Sequence, residues 1–394
     1  MTASPLPLEE LEASISDPSQ PLFLPPEAYT SPAFHEFELD AIWRREWIMV
    51  GRAEEVPDPG DYFAFEVAGE PLLIVRGDDG EIAAMSAVCR HRGMLVAEGR
   101  GHCGRAFICP YHGWAYDRAG RLIGAPQAVE MIRRGLALPP VRSELWHGFI
   151  FVNLDADAEP LAPRLASLEP IVAPYALEDL RGEFMVDPDY MFEFEYDWNW
   201  KVYADGQNEC YHCDKLHRDT PVMQNTDFGS IEFGVIEPEN GVFHYDLHNR
   251  DVDVTLNHLG KAIFDPIPGL SEEDRWQTPS ITIAPGVLLI LMPDSVVAVG
   301  YHPTGPTSMR AKRHRLYPQA TLARPDFVER HREETAAVRT FVGQDEWAFA
   351  GVQRGLRSCF APRGPISERE QILIGMNRWL LDRYRAAADA DVPV

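Results

Sequence analysis

Two short runs of the chain carry sulfur and imidazole together: Cys89-Arg90-His91 and Cys109-Pro110-Tyr111-His112. Two thiolates and two imidazoles can hold a tetrahedral zinc ion. They can equally hold a two-iron, two-sulfide cluster in which the histidines take one iron and the cysteines the other. A zinc finger groups its cysteines apart from its histidines, whereas here each run supplies one of each. That alternation suits the cluster, because each loop then reaches both irons. Gly93 and Gly113, close behind the histidines, permit tight turns whose backbone amides can stabilise the sulfides. A structural zinc knuckle is the competing reading.

A second set of candidate ligands lies further along. Trp198, Val202, Asp205, Glu209 and His212 are spaced by four, three, four and three residues, which places them on one stripe of a helix capped by Asp197. Acids facing a core are costly unless paired or bound to metal. His217 follows His212 by five residues, one more than a straight helix needs to keep both on one face, so a widened turn or helix end is expected between them. Two histidines with one carboxylate from elsewhere, and open positions left over, form the facial set that binds non-haem ferrous iron. The carboxylate is expected from a late helix whose apolar face is Val338, Phe341, Val342, Phe349 and Val352. Asp345 interrupts that face, with Glu346 turned aside towards solvent. Cys210 and Cys213, a C-x-x-C around His212, are read as packing about this second site.

These groups need elements to place them. The 394 residues, 45% of them apolar, suggest about two domains with ample core. No apolar run approaches a membrane span, and Met1-Thr2-Ala3-Ser4 lacks the basic start of a signal peptide. A cytoplasmic protein without membrane contact is expected. Six cysteines are too few for a disulfide framework. The net charge of −25 argues against nucleic-acid binding. Between residues 86 and 125, however, six arginines face two acids. That local basic rim suits docking of an acidic electron donor, or is simply a set of solvated loops.

Along the chain, residues 1–30 read as a mobile arm and 31–47 as a helix capped by Ser31. Short strands at 62–67, 71–76, 82–88, 106–108 and 149–152 describe a small all-β domain with the Cys-His loops at hairpin tips. A Pro- and acid-rich connection at 155–180 marks a boundary. Tyr190, Phe192, Phe194 and Tyr196 alternate as in a half-buried strand, and they could be core or an aromatic cage for a cation. Antiparallel strands are expected over 229–318, and long helices over 325–356 and 367–388.

With their flanks counted, Cys89-Arg90-His91-Arg92-Gly93 and Cys109-Pro110-Tyr111-His112-Gly113-Trp114 resemble the cluster loops of Rieske proteins. Asn199-Trp200-Lys201, Glu209-Cys210-Tyr211-His212 with His217, and Gln344-Asp345-Glu346 leading to Gln353-Arg354-Gly355 extend the likeness. Over nearly its whole length the chain resembles the catalytic α subunit of a Rieske non-haem iron aromatic-ring-hydroxylating oxygenase. The resemblance implies an α+β fold: an N-terminal arm and helix (1–47), an all-β Rieske [2Fe–2S] domain (48–160), and a catalytic domain (161–394) with an antiparallel sheet wrapped around long helices, of helix-grip type. It implies Cys89, His91, Cys109 and His112 on the cluster, and His212, His217 and Asp345 on mononuclear Fe(II). Glu209 matches the family's bridging acid and, with Asp205 on the same stripe, is counted among the catalytic side chains.

Glutamate there, instead of the aspartate of many ring dioxygenases, is similar to the choline, glycine betaine and carnitine monooxygenase branch. The implied activity is O2-dependent monooxygenation, by hydroxylation or N- or O-demethylation, of a small organic substrate such as a quaternary ammonium or N-alkyl compound. A separate flavin/iron–sulfur reductase or ferredoxin would supply the electrons, and the assembly would be a homotrimer. Cis-dihydroxylation of an aromatic ring is the alternative, and a Rieske electron carrier without oxygenase activity a further one.

Overall fold

The computed structural model describes residues 4–17, 19–187, 193–257 and 259–389. The chain divides into two units, Trp43–Leu161 and a second made of Met1–Ile42 with Ala162–Val394.

The unit Trp43–Leu161 is built on a seven-stranded antiparallel sheet. Its order is Ile48–Arg52, Phe149–Asn153, Pro140–Trp146, Ile82–Ser86, Glu70–Arg76, Asp61–Val67 and Arg100–His102. A second sheet of three short strands, Phe107–Ile108, Ala115–Tyr116 and Leu122–Gly124, carries one of the Cys-His loops. Leu73, Val75, Met85, Phe107, Trp114 and Tyr116 pack into a core that also takes in Cys89 and Cys109. Burial of such apolar surface is the main force holding loops this short in place.

The other unit holds an eight-stranded antiparallel sheet ordered Leu180–Gly182, Ser308–Pro318, Val296–Gly305, Val287–Leu291, Gln277–Ile283, Val242–Asn249 and Thr226–Glu237, with Glu193–Tyr196 also paired to Ser308–Pro318. Val296–Gly305 and Ser308–Pro318 join through Pro306-Thr307, and Gly305 pairs with Ser308. Five helices matter for the site: α1 (Pro32–Glu38), α2 (Trp200–Gln207), α3 (Cys213–Leu216), α4 (Phe327–Leu356) and α5 (Gln371–Asp389). Helix α5 lies on the outer strands of the sheet, and Gly375 lets it approach: a Cβ there would stand 2.7 Å from the Phe243 ring. Among the described residues, no helix is long and apolar enough to cross a membrane.

Several expectations need correction. The helix expected over 31–47 is α1 followed by a π-helical turn, Leu39–Trp43, and the chain is already in a strand at Ile48. Ser31 does cap it, accepting from the Phe34 amide at 3.2 Å. The described part of the arm is tied down by apolar burial of Leu11, Leu24 and Tyr29 and by backbone pairing of Phe23 with Gly364 and Pro21 with Ile366. Of the aromatic alternation, Tyr190 and Phe192 lie outside the described residues, and the described strand is Glu193–Tyr196.

Candidate functional site

The two Cys-His loops share one backbone pattern. The amide of Cys89 donates to Met94 O and that of Cys109 to Trp114 O, each at 2.8 Å. The amides of Gly93 and Gly113 return to the carbonyls of Cys89 and Cys109, each at 3.0 Å. Both turns need φ near +75°, which glycine supplies without strain: Gly93 has φ 77° and Gly113 φ 72°. The result is two buried thiols that form no disulfide at the base and two exposed imidazoles at the tip, with the His91 and His112 rings 4.5 Å apart. Trp114 stacks on His91 at 4.8 Å. The hydroxyl of Tyr116 lies 3.2 Å from Cys89 Sγ and accepts from the Arg90 amide. Two buried cysteines that form no disulfide, beside two adjacent imidazoles, fit the donor set of a Rieske cluster. Of the six arginines, Arg100, Arg118 and Arg121 are paired to Glu55, Asp78 and Asp117, while Arg90, Arg92 and Arg105 are exposed.

The second site lies in the larger unit. The predicted helical stripe from Trp198 to His212 is cut short: α2 starts after Asn199 and ends at Gln207, so Glu209 and His212 lie beyond it. The cap is Asn199, not Asp197; its side chain accepts from the Lys201 amide at 2.9 Å. The other end closes because Asn208, a poor helix former, turns its own side chain back to the Ala204 carbonyl. The expected break between the histidines is the separate helix α3, with His212 at its N-cap and His217 at its C-cap. Cys210 and Cys213 go beyond the packing role expected of them. Their Cα atoms are 5.1 Å apart, within disulfide reach, and the two are joined across His212.

This irregular stretch meets Asp345 of α4. Asp345 Oδ1 lies 2.8 Å from His217 Nε2 and 3.5 Å from His212 Nε2, and the three ligand atoms all fall within 4.8 Å of one another. His217 Nε2 and Asp345 Oδ1 are buried and, although 2.8 Å apart, do not meet in hydrogen-bond geometry. Such orphaned atoms are costly unless something else binds them. Each histidine is gripped by its other nitrogen, His217 Nδ1 by Gln344 Oε1 at 2.8 Å and His212 Nδ1 by Glu209. Both rings therefore present Nε2 to a common point, the orientation a metal-binding histidine needs. Burial disfavours charge on His212, but the Asp345 and Glu209 carboxylates outweigh it and lift its pKa to about 10. A field this negative suits a cation. Two imidazoles and one carboxylate fit ferrous iron with positions left open.

Packing fixes the separation of the segments. Phe341 stacks on His217 at 3.8 Å. Gly206 of α2 lies against Phe349 of α4 so closely that a Cβ would come within 2.1 Å of the ring. Gln353 of α4 accepts from the Asn199 amide at 2.6 Å, pinning the start of α2. The roles of Gln344 and Gln353 were not evident from the sequence beyond their adjacency to Asp345 and to Arg354-Gly355. Val352, expected on the apolar face, is instead largely exposed.

Three cavities converge on Asp345. One is bounded by Phe194, Tyr196, Trp198, Phe349, Arg313 and Glu346. Tyr196 and Trp198 stack there at 4.4 Å, and Arg313 covers the Phe194 ring at 5.3 Å. A second is walled by neutral groups such as Tyr245, Thr278, Ser280 and Met292. The third, of about 470 Å³, adjoins Asp205, Glu209 and His212. Of the predicted site residues, His212, His217, Asp345 and Glu209 are thus brought together, with Asp205 on a shared cavity wall.

A Rieske-type loop pair lies in one unit and a two-histidine, one-carboxylate cluster in the other. Residues 46–140 match the Rieske [2Fe-2S] domain, and residues 185–386 match the ring hydroxylating alpha subunit (catalytic domain). The chain belongs to the ring hydroxylating alpha subunit family, and with it come a [2Fe–2S] cluster and mononuclear non-haem iron. It is similar to the glycine betaine monooxygenase oxygenase subunit of Chromohalobacter salexigens, 34% identical over 197 residues, which are 49% of this chain and 43% of that protein. It is likewise similar to the carnitine monooxygenase oxygenase subunit of Acinetobacter pittii, 34% identical over 196 residues, covering 48% of this chain and 51% of that protein. The chain thus spans about half the length of the curated relatives it matches. In fold it resembles the quaternary ammonium Rieske monooxygenase CntA, with a TM-score of 0.78 at 22% identity over 97% of this chain and all of that one.

Proposed function

We propose that the chain is the terminal oxygenase component of a cytoplasmic, reductase-dependent monooxygenase acting on a small quaternary ammonium or N-alkyl compound. The observation that carries this reading is the convergence of His212 Nε2, His217 Nε2 and Asp345 Oδ1, each imidazole being held from behind. In this reading His212, His217 and Asp345 hold Fe(II), and Cys89, His91, Cys109 and His112 hold the cluster. When bound, the cluster supplies one-electron transfer and the ferrous centre supplies dioxygen activation. Glu209 and Gln344 keep both rings in the tautomer that leaves Nε2 free. In a homotrimer, Glu209 would join His212 to a cluster histidine of a neighbouring copy.

The substrate class draws support from two sides. The named relatives act on glycine betaine and carnitine. Tyr196, Trp198 and Phe349 supply aromatic faces of the kind that recognise a quaternary ammonium, beside the Asp345 and Glu346 carboxylates and with Arg313 and Arg315 also on the cavity wall. Hydroxylation of an N-methyl carbon gives an unstable carbinolamine that releases formaldehyde.

A panel of betaines, N-methylated amines and aromatic acids, supplied with a surrogate reductase and scored for oxygen uptake, formaldehyde and hydroxylated product, tests the reading. Formaldehyde from N-methyl substrates is the expected result. A cis-diol from an aromatic substrate would replace it with ring dihydroxylation, and no oxygen uptake with any member would remove the oxygenase reading.

A further inference from the structure

Asp205 occupies a place that the iron ligands and their supports do not explain. It projects from α2, and its Oδ2 accepts a hydrogen bond from the Tyr29 hydroxyl at 2.8 Å. Both side chains line the 470 Å³ cavity that also reaches Glu209, His212 and Asp345, and much of the remaining wall is apolar, with Leu24, Val202, Phe349 and Leu373 among its residues. A carboxylate beside apolar walls is expensive unless it is neutralised or does work there. Lys201, the cation on the same helix, tempers that charge without neutralising it, because its ammonium is engaged 2.6 Å from Glu38 of α1, which also accepts from Tyr384 of α5.

We propose that Asp205, steadied by Tyr29, is the proton donor to this cavity. The inference rests on the oxygenase reading above. Turning R–H and O2 into R–OH and H2O consumes two electrons, which the reductase provides, and two protons. The O–H bond of Asp205 breaks as one of these protons passes to the oxygen atom that leaves as water, and the second reaches that oxygen from solvent through water in the cavity. The carboxylate left behind is stabilised by the Tyr29 O–H and by the Lys201 charge, and water in the cavity returns its proton.

The surroundings tune the acid for this. Burial pushes its pKa up; the Tyr29 hydrogen bond and Lys201 pull it down; Glu370 and Glu209 push it up again, to about 7. Tyr301 and Tyr384 also feel its charge, Glu38 accepts from Tyr384, Arg363 acts on Tyr29, and His212 and Asp345 share its cavity. A donor is most effective when its pKa lies near the working pH.

The test uses the full chain loaded with cluster and iron, in wild-type form and as Asp205→Asn, Asp205→Glu and Tyr29→Phe. Product formation is expected to fall about a hundredfold in Asp205→Asn and to recover substantially in Asp205→Glu. In the wild type, kcat declines as pH rises through 7. Tyr29→Phe moves that decline to higher pH, because the hydrogen bond it removes favours the carboxylate. In iron-free protein, infrared spectra show a protonated-acid carbonyl band that titrates near neutrality and is missing from Asp205→Asn. A wild-type rate and pH profile in Asp205→Asn, or the same band in both proteins, overturns the proposal. Wild-type protein that consumes no oxygen overturns the oxygenase reading instead, and the infrared titration still decides whether Asp205 holds the proton.

Discussion

In the proposed assignment of His217 to ferrous iron, Gln344 supports the centre without touching the metal. By accepting from His217 Nδ1 it fixes the ring that Phe341 stacks against, so the Nε2 lone pair stays aimed at Asp345 and His212. Replacing it with alanine should weaken iron binding about 10–100-fold, as loss of such a support does elsewhere. Ferrous titration under anaerobic conditions, with the cluster spectrum as internal control, measures this. Asp345→Ala is expected to go further, abolishing turnover and iron retention at the mononuclear site. Its visible spectrum should be unchanged, because the cluster ligands are held by their own loops. A variant that lost the visible spectrum would show that the two sites had been assigned to the wrong residues.

At the scale of elements, α2 and α4 must lie almost in contact for the ligands to meet, and Gly206 is what allows it. Gly206→Ala places a methyl group into the Phe349 ring, an overpacking that should cost about 1–3 kcal/mol and push α4 outward with Asp345 on it. Thermal unfolding and iron affinity should both fall, and trimming the ring in Gly206→Ala/Phe349→Leu should restore much of each. Contacts of this kind are where the sequence was least readable. The Cys-His loops and the His212/His217 pair were legible because their ligands sit within a few residues of one another, and Asp345 because it broke an apolar face. The end of α2 at Asn208, the Asn199 to Gln353 clamp and the Glu38 to Lys201 pair were not, since each depends on competing hydrogen bonds or on a partner far away in sequence. The N-terminal arm misled for a related reason. Its prolines and acids suggested solvent, while the few apolar side chains that anchor it, Leu11, Leu24 and Tyr29, are spread too widely to form a pattern.

Over the whole molecule, the strongly acidic composition coexists with buried groups that resist ionisation. Burial pulls the pKa of His302 and of His331 down to about 3, with nearby arginines adding to the effect and, for His302, Lys312 as well. In the unfolded chain both return to about 6.5. Between those values the unfolded state binds more protons, so stability is full above pH 6.5 and falls as the pH drops from there towards 3. The limiting slope is about 1.4 kcal/mol per pH unit for each histidine. Chemical denaturation at a series of pH values should show this acid loss, and His331→Gln should lessen its slope by one histidine's share. The arrangement of the proposed ferrous ligands has a consequence during synthesis. Two donors leave the ribosome together in the stretch around α3, but the third arrives only with α4, after most of the large sheet has been translated. A nascent chain therefore has no complete pocket for the metal until α4 has been made and docked, and loading has to follow that step.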